Sequence, residues 1–137
     1  MRLLIGTDSD YAAVIRAANE MHQADERSPL LVLIGSAGPF SFKPRPSTIL
    51  VPGMPAGVIA AVPALEEFGI ASRLASELGL PGCYDGTVLE LAEQWLQGLE
   101  PSLRVQVSIA VSGAEDLARS AEDLGRRLGL PVRVIPG

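Results

Sequence analysis

The sequence holds a single cysteine, Cys83, and a single histidine, His22. One cysteine excludes an internal disulfide, an iron-sulfur cluster and any multi-cysteine zinc site. No Ser-His-Asp constellation can be drawn around His22, and no Asp or Glu pair has a spacing that singles it out for acid-base work. Metal-ligand spacing is absent, so no metal is expected. Basic residues are outnumbered, 11 against 16 acids, and no basic run exceeds a pair such as Arg126-Arg127. That leaves no electrostatic footprint for nucleic acid. No apolar run approaches a membrane span, and Met1-Arg2 leads straight into a strand instead of a leader. A cytoplasmic protein with no membrane partner is expected.

Aromatic residues make up only 4% of the chain, whereas 47% is hydrophobic and Ala, Leu, Val and Gly dominate. This is the composition of helices lying closely on a parallel sheet. The 137 residues suffice for one domain, 1–137, with its own core and no staples.

Hydrophobic runs predict buried strands over residues 2–6 and 30–35, with a helix over 8–23 that buries Tyr11, Val14, Ile15, Ala18 and Met21. Asp8 or Ser9 is the expected N-cap. A proline-rich loop spans 36–47, residues 48–51 form a short strand candidate, and 57–62 is ambiguous between strand and helix start. A short helix is expected near 63–68, with Pro63 in its first turn and Gly69 as its stop. A strand over 72–76 then leads into a loop over 77–86. Thr87 and Glu90 form a capping-box pattern before a helix burying Val88, Leu91, Ala92, Trp95 and Leu96. Residues 104–111 alternate as a strand does. Ser112 and Glu115 repeat the box before a helix lined by Leu117, Ala121, Leu124 and Leu128, and 132–135 closes the sheet. The order implies a three-layer, doubly wound α/β fold with a mainly parallel five-stranded sheet.

In such folds the first strand-to-helix turn is where phosphates dock, on free N–H groups and the positive helix end. Here it reads Gly6-Thr7-Asp8-Ser9-Asp10 and carries two carboxylates. A pyrophosphate about 5 Å from either would be repelled by roughly 3 kcal/mol per unit charge at an effective dielectric near 20. Binding there requires both carboxylates turned away or paired, and the competing reading is that Asp8 and Ser9 only cap the helix. Lys43 and Arg45, alternating with Pro44 and Pro46, either meet a nucleotide 2′-phosphate or acidic partner, or form a solvated connector. Cys83 reads as a small filler, His22 as a solvated helix-end residue and Trp95 as core.

The stretch Pro39-Phe40-Ser41-Phe42-Lys43-Pro44-Arg45-Pro46-Ser47, then Val51-Pro52-Gly53-Met54-Pro55-Ala56-Gly57-Val58-Ile59-Ala60-Ala61-Val62-Pro63, with Ser72-Arg73-Leu74-Ala75-Ser76 and Leu80-Pro81-Gly82-Cys83-Tyr84-Asp85-Gly86, resembles the C-terminal NAD(P)-binding domain of ferredoxin-NADP reductase-like flavoproteins. The nearest flavour is the electron-transfer subunit of dihydroorotate dehydrogenase. The resemblance implies a Rossmann-like domain whose cofactor site comprises Gly6, Thr7, Asp8, Ser9 and Asp10 on the first turn, Gly82, Asp85 and Gly86 before the third helix, and Ser112 and Gly113 after a later strand. Ser112 and Ala114 stand where the family has the cysteine and proline of Cys-Gly-Pro. Neither a flavin-binding barrel nor the family's cluster cysteines are expected with this domain. The expectation is therefore a stand-alone pyridine-nucleotide half, with NAD(P) as cofactor, no flavin in this chain, and a flavoprotein or other protein as partner. Weak or lost nucleotide binding would make it an interaction module. Catalytic residues and oligomeric state are left unassigned.

A second resemblance concerns two short stretches. Gly6-Thr7-Asp8-Ser9-Asp10-Tyr11 is similar to the Gly-Ser-Asp-Ser-Asp phosphate site of the class I aminoimidazole ribonucleotide carboxylase/mutase family, and Val51-Pro52-Gly53-Met54 to its Leu-Pro-Gly-Met. That family's histidine-bearing segments have no counterpart here. It implies a small-ligand phosphate-site enzyme as the alternative.

Overall fold

Buried apolar strands and amphipathic helices assemble a Rossmann-like three-layer fold, seen in a computed structural model that describes residues 1–136. The strands are β1 (Arg2–Thr7), β2 (Leu30–Ser36), β3 (Arg45–Pro46), β4 (Ala60–Ala61), β5 (Ala71–Ser76), β6 (Tyr84–Asp85), β7 (Ser108–Ser112) and β8 (Val132–Ile135). The helices are α1 (Tyr11–Ala24), α2 (Pro63–Glu66), α3 (Val88–Gly98), α4 (Pro101–Arg104) and α5 (Glu115–Leu128), with a single 3-10 turn, Asp8–Asp10, ahead of α1. Six strands form one sheet in the order β6-β5-β2-β1-β7-β8, every pair parallel. The two-residue β6 is the strand that the five-strand expectation omits.

The chain starts at the sheet centre, moves outward through β2 and β5 to β6, then returns to the other side of β1. Leu4, Val32, Leu74 and Ala110 pack against α1 and α2 on one face. Leu3, Ile5, Leu33 and Val111 pack against α3 and α5 on the other. The path therefore reverses between β1 and β7, and the loops leaving these neighbours diverge to opposite faces, opening a crevice at the carboxyl ends.

Two glycines bring the helices close to the strands at this edge. A Cβ on Gly6 would run into Val14 of α1, and one on Gly35 would lie 2.7 Å from the Val88 Cβ of α3. Helix α1 buries Val14, Ala17, Ala18 and Met21 at helical spacing. Its carboxyl end is closed by Arg2, whose guanidinium donates to the carbonyls of Met21, Asp25 and Ser28, a cation where the helix dipole is negative. The capping box of α3 forms as expected: Thr87 Oγ1 accepts the Glu90 N–H at 3.2 Å, and Glu90 Oε1 accepts the Thr87 N–H at 2.8 Å. Trp95 is core, as expected.

Several local expectations are corrected. Neither Asp8 nor Ser9 caps the first helix, because Ser9 Oγ is engaged with Thr7 Oγ1 at 2.9 Å and the Asp8 carboxylate is drawn to Ser41. Ser112 does not repeat the capping box, since it is the buried last residue of β7 and α5 starts after Ala114 without a side-chain cap. Residues 48–51 are not a strand: the Thr48 N–H is bound by Glu66, the Ile49 N–H by Ser47 Oγ, and the Ile49 carbonyl by Arg73. The strand over 104–111 begins only at Ser108, because Pro101 opens the short helix α4, proline being pre-set for a first helical position.

Residues 37–59 form a strap. Phe42 stacks on Tyr11 with ring centroids 5.0 Å apart, and Phe40 lies 5.2 Å from Phe42. Arg45 and Pro46 pair antiparallel with Ala61 and Ala60. Further on, the Pro52 carbonyl accepts the Trp95 indole N–H at 3.0 Å. The strap thus passes from the α1 face to the α3 face around the outer edge of β5, which β6 covers only at Ala75 and Ser76.

Candidate functional site

The carboxyl ends of β1, β2 and β5 and the starts of α3 and α5 enclose a cleft of about 690 Å³. Its rim comes from Thr7, Asp8 and Ser9 at the end of β1, from Gly35 to Gly38 at the end of β2, and from Glu77 after β5. The Glu77 N–H donates to the Ser36 carbonyl at 3.1 Å, locking the second and third of these loops together. Val88, Leu89 and Leu117 supply apolar wall; Thr87, Ser120, Ala114 and Asp116 complete the lining.

Of the expected site residues on the first turn, Thr7, Asp8 and Ser9 line this cleft. Gly6 is buried beneath them against Val14. Asp10 is displaced to the far side of the turn, where a Cβ on Gly113 would lie 3.3 Å from its Oδ2. Gly113 therefore joins the β1 and β7 loops at the reversal point without lining the cleft. Ser112 is buried, and its Oγ has no hydrogen-bond partner. Gly82, Asp85 and Gly86 lie outside the lining: the Gly82 carbonyl accepts the Ile59 and Ala60 N–H groups, Asp85 ends β6, and the Gly86 N–H bonds the Ser76 carbonyl. Glu77, Thr87, Asp116 and Ser120 join the lining without being among the expected site residues, Thr87 being expected only as a helix cap. They share one signal, a place just after a parallel strand or in the first turns of a following helix, which is where ligands meet doubly wound sheets.

The charge of the cleft is one-sided. Asp8, Glu77 and Asp116 line it, and no lysine or arginine does. Asp116 sits in the first turn of α5 together with Glu115, where carboxylates complement the helix dipole. The Asp8 charge is handled differently. The Ser41 N–H lies 3.1 and 3.0 Å from its two oxygens, and Ser41 Oγ donates to Oδ1 at 2.9 Å. Burial, reinforced by the Asp8 charge, pushes the neighbouring Tyr11 phenol above its ordinary range.

Other chemistry-bearing groups lie elsewhere. Burial pushes the Cys83 thiol up, away from the thiolate that a reactive cysteine needs. Lys43 and Arg45 are exposed on the strap and His22 is at the end of α1, all outside the cleft lining. The lining offers hydroxyls, carboxylates and an apolar wall, and it contains no histidine. Among the described residues no group of His, Cys, Asp and Glu is placed to hold a metal ion, and no helix is long and apolar enough to cross a membrane. No protein-family model, curated protein or solved structure matches this chain.

Proposed function

We propose that the chain is a ligand-binding domain of the pyridine-nucleotide type, taking NAD(P) weakly in the carboxyl-edge cleft and serving a flavoprotein partner as the nucleotide half of a hydride transfer. The observation that carries the reading is the cleft itself, of about 690 Å³, set across the β1–β7 reversal with the first turn on its rim. The pairing of Asp8 with Ser41 and the displacement of Asp10 toward Gly113 support it further, since each reduces the repulsion that the sequence of the first turn implies. Glu77 and Asp116 keep the expected affinity low, near a dissociation constant of about 1 mM, or about −4.1 kcal/mol. Calorimetric titration of NADH and NADPH, with melting temperatures read in parallel, tests it. Weak saturable heat supports the reading; no heat and no melting shift at millimolar ligand overturns it and leaves a protein-interaction domain.

A further inference from the structure

The strap and the cleft meet at a single carboxylate. Asp8 lines the cleft, while Ser41, which does not, directs both its backbone N–H and its hydroxyl onto it. Both oxygens of Asp8 are thereby engaged by a residue outside the cleft lining. Ser41 is held for this purpose by its neighbours: Phe42 stacks on Tyr11, three residues beyond Asp8, and Phe40 packs against Phe42.

We infer that Ser41 is a positioning residue that masks the Asp8 charge, so that the seating of the strap sets the affinity of the cleft for phosphate-bearing ligands. The inference rests on the reading of the cleft as a nucleotide site and adds its regulation. With the strap seated, the two donors of Ser41 hold the Asp8 carboxylate and offset part of its charge. With the strap released, the carboxylate loses both donors and its full charge faces a phosphate bound in the cleft, a repulsion that salt screens because the contact is exposed. Linkage requires the converse: a bound phosphate group favours the seated strap by the same factor by which the seated strap favours it. Ser41 touches no ligand in this scheme and acts through Asp8 alone.

A double-mutant cycle with NADH as the probe reads this directly. At low ionic strength, Asp8→Asn tightens NADH about tenfold, because the charge is gone, in line with one unit of about 1.4 kcal/mol per decade. Ser41→Ala weakens it about threefold to tenfold, and in the Asp8→Asn background the same serine substitution has no effect. Hydrogen exchange of the strap amides around residue 41, measured without ligand, quickens in Ser41→Ala and in Asp8→Ala, while the melting temperature reports that each variant stays folded. NADH binding that is equal in wild type and Ser41→Ala, or a serine effect that persists undiminished beside Asn at position 8, overturns the inference and leaves the nucleotide reading standing. Silence from all four proteins at millimolar NADH removes both.

Discussion

Arg73, a buried cation on β5, donates Nη2 to the backbone carbonyl of Ile49 at 2.6 Å, and Nη1 to the carbonyl of Ser72 at the same distance. A charge on the sheet edge thus holds the strap where no strand covers β5. Replacing it with methionine keeps the stem and removes both donors. The loss of charged hydrogen bonds, each worth about 1.5–3 kcal/mol, is partly offset by relief of the desolvation of a guanidinium whose Nε finds no partner. We expect Arg73→Met to cost about 1–3 kcal/mol in urea unfolding, with faster hydrogen exchange at residues 47–50. Lysine recovers only part of this, because a point charge cannot serve both carbonyls as a planar fork does. An unchanged midpoint would show that the strap is held without Arg73.

Glu66 anchors the same segment and makes it sensitive to acid. Partial burial pushes its carboxyl upward, but donors from Ser47 Oγ at 2.5 Å and the Thr48 N–H at 3.0 Å, together with the charge of Arg73, outweigh burial and hold it below its ordinary value of 4.5. A carboxylate with a depressed folded pKa contributes stability that is complete above its unfolded pKa and is lost as pH falls through the folded one. Stability is therefore expected to decline as pH drops below about 4.5. In Glu66→Gln this part of the decline is absent, since glutamine does not titrate. Parallel urea titrations at pH 7 and across the acid range would show it; identical slopes for the two proteins would rule it out.

Gly35 tests how closely α3 must approach the sheet to form the cleft wall. A Cβ there would lie 2.7 Å from the Val88 Cβ and 3.2 Å from its backbone nitrogen, so α3 itself would have to move. We expect Gly35→Ala to cost about 1–3 kcal/mol, the range of overpacked cores. Gly38, on the same rim, has nothing within 4 Å of its added carbon, and Gly38→Ala should stay within about 0.5 kcal/mol of wild type. Equal midpoints for the two variants would mean that the helix has slack.

These local features were unequally visible in the sequence. The strands and helices around the core follow from apolar runs and helical spacing, and the Thr87–Glu90 box is a contact between near neighbours, so both are legible. The strap is not, because its shape comes from contacts between residues far apart in sequence: Asp8 with Ser41, Ser47 with Glu66, Ile49 with Arg73 and Pro52 with Trp95. An isolated Ser-x-x-Glu pattern could not reveal that Ser112 ends a strand, nor an isolated Asp at a helix start that its acceptor is claimed elsewhere. The place of the first turn at the carboxyl edge was legible; that Glu77 and Asp116 meet it across the cleft was not, because that depends on the parallel register of β5, β2, β1 and β7.

Ser112 separates burial from binding. Alternation along β7 places its side chain with Ala110 on the α1 face, away from the wall that Val88 and Leu117 give the cleft. Its hydroxyl is buried and unpartnered, and such a group carries a desolvation penalty of about 1–3 kcal/mol that no hydrogen bond repays. Alanine removes the penalty while leaving only a small void, so Ser112→Ala is expected to stabilise the fold by about 1 kcal/mol. Because the side chain points away from the cleft, NADH affinity should not change. Destabilisation would mean that the hydroxyl has an acceptor in solution, and weakened NADH binding at unchanged stability would return Ser112 to the ligand site that the family resemblance assigns it.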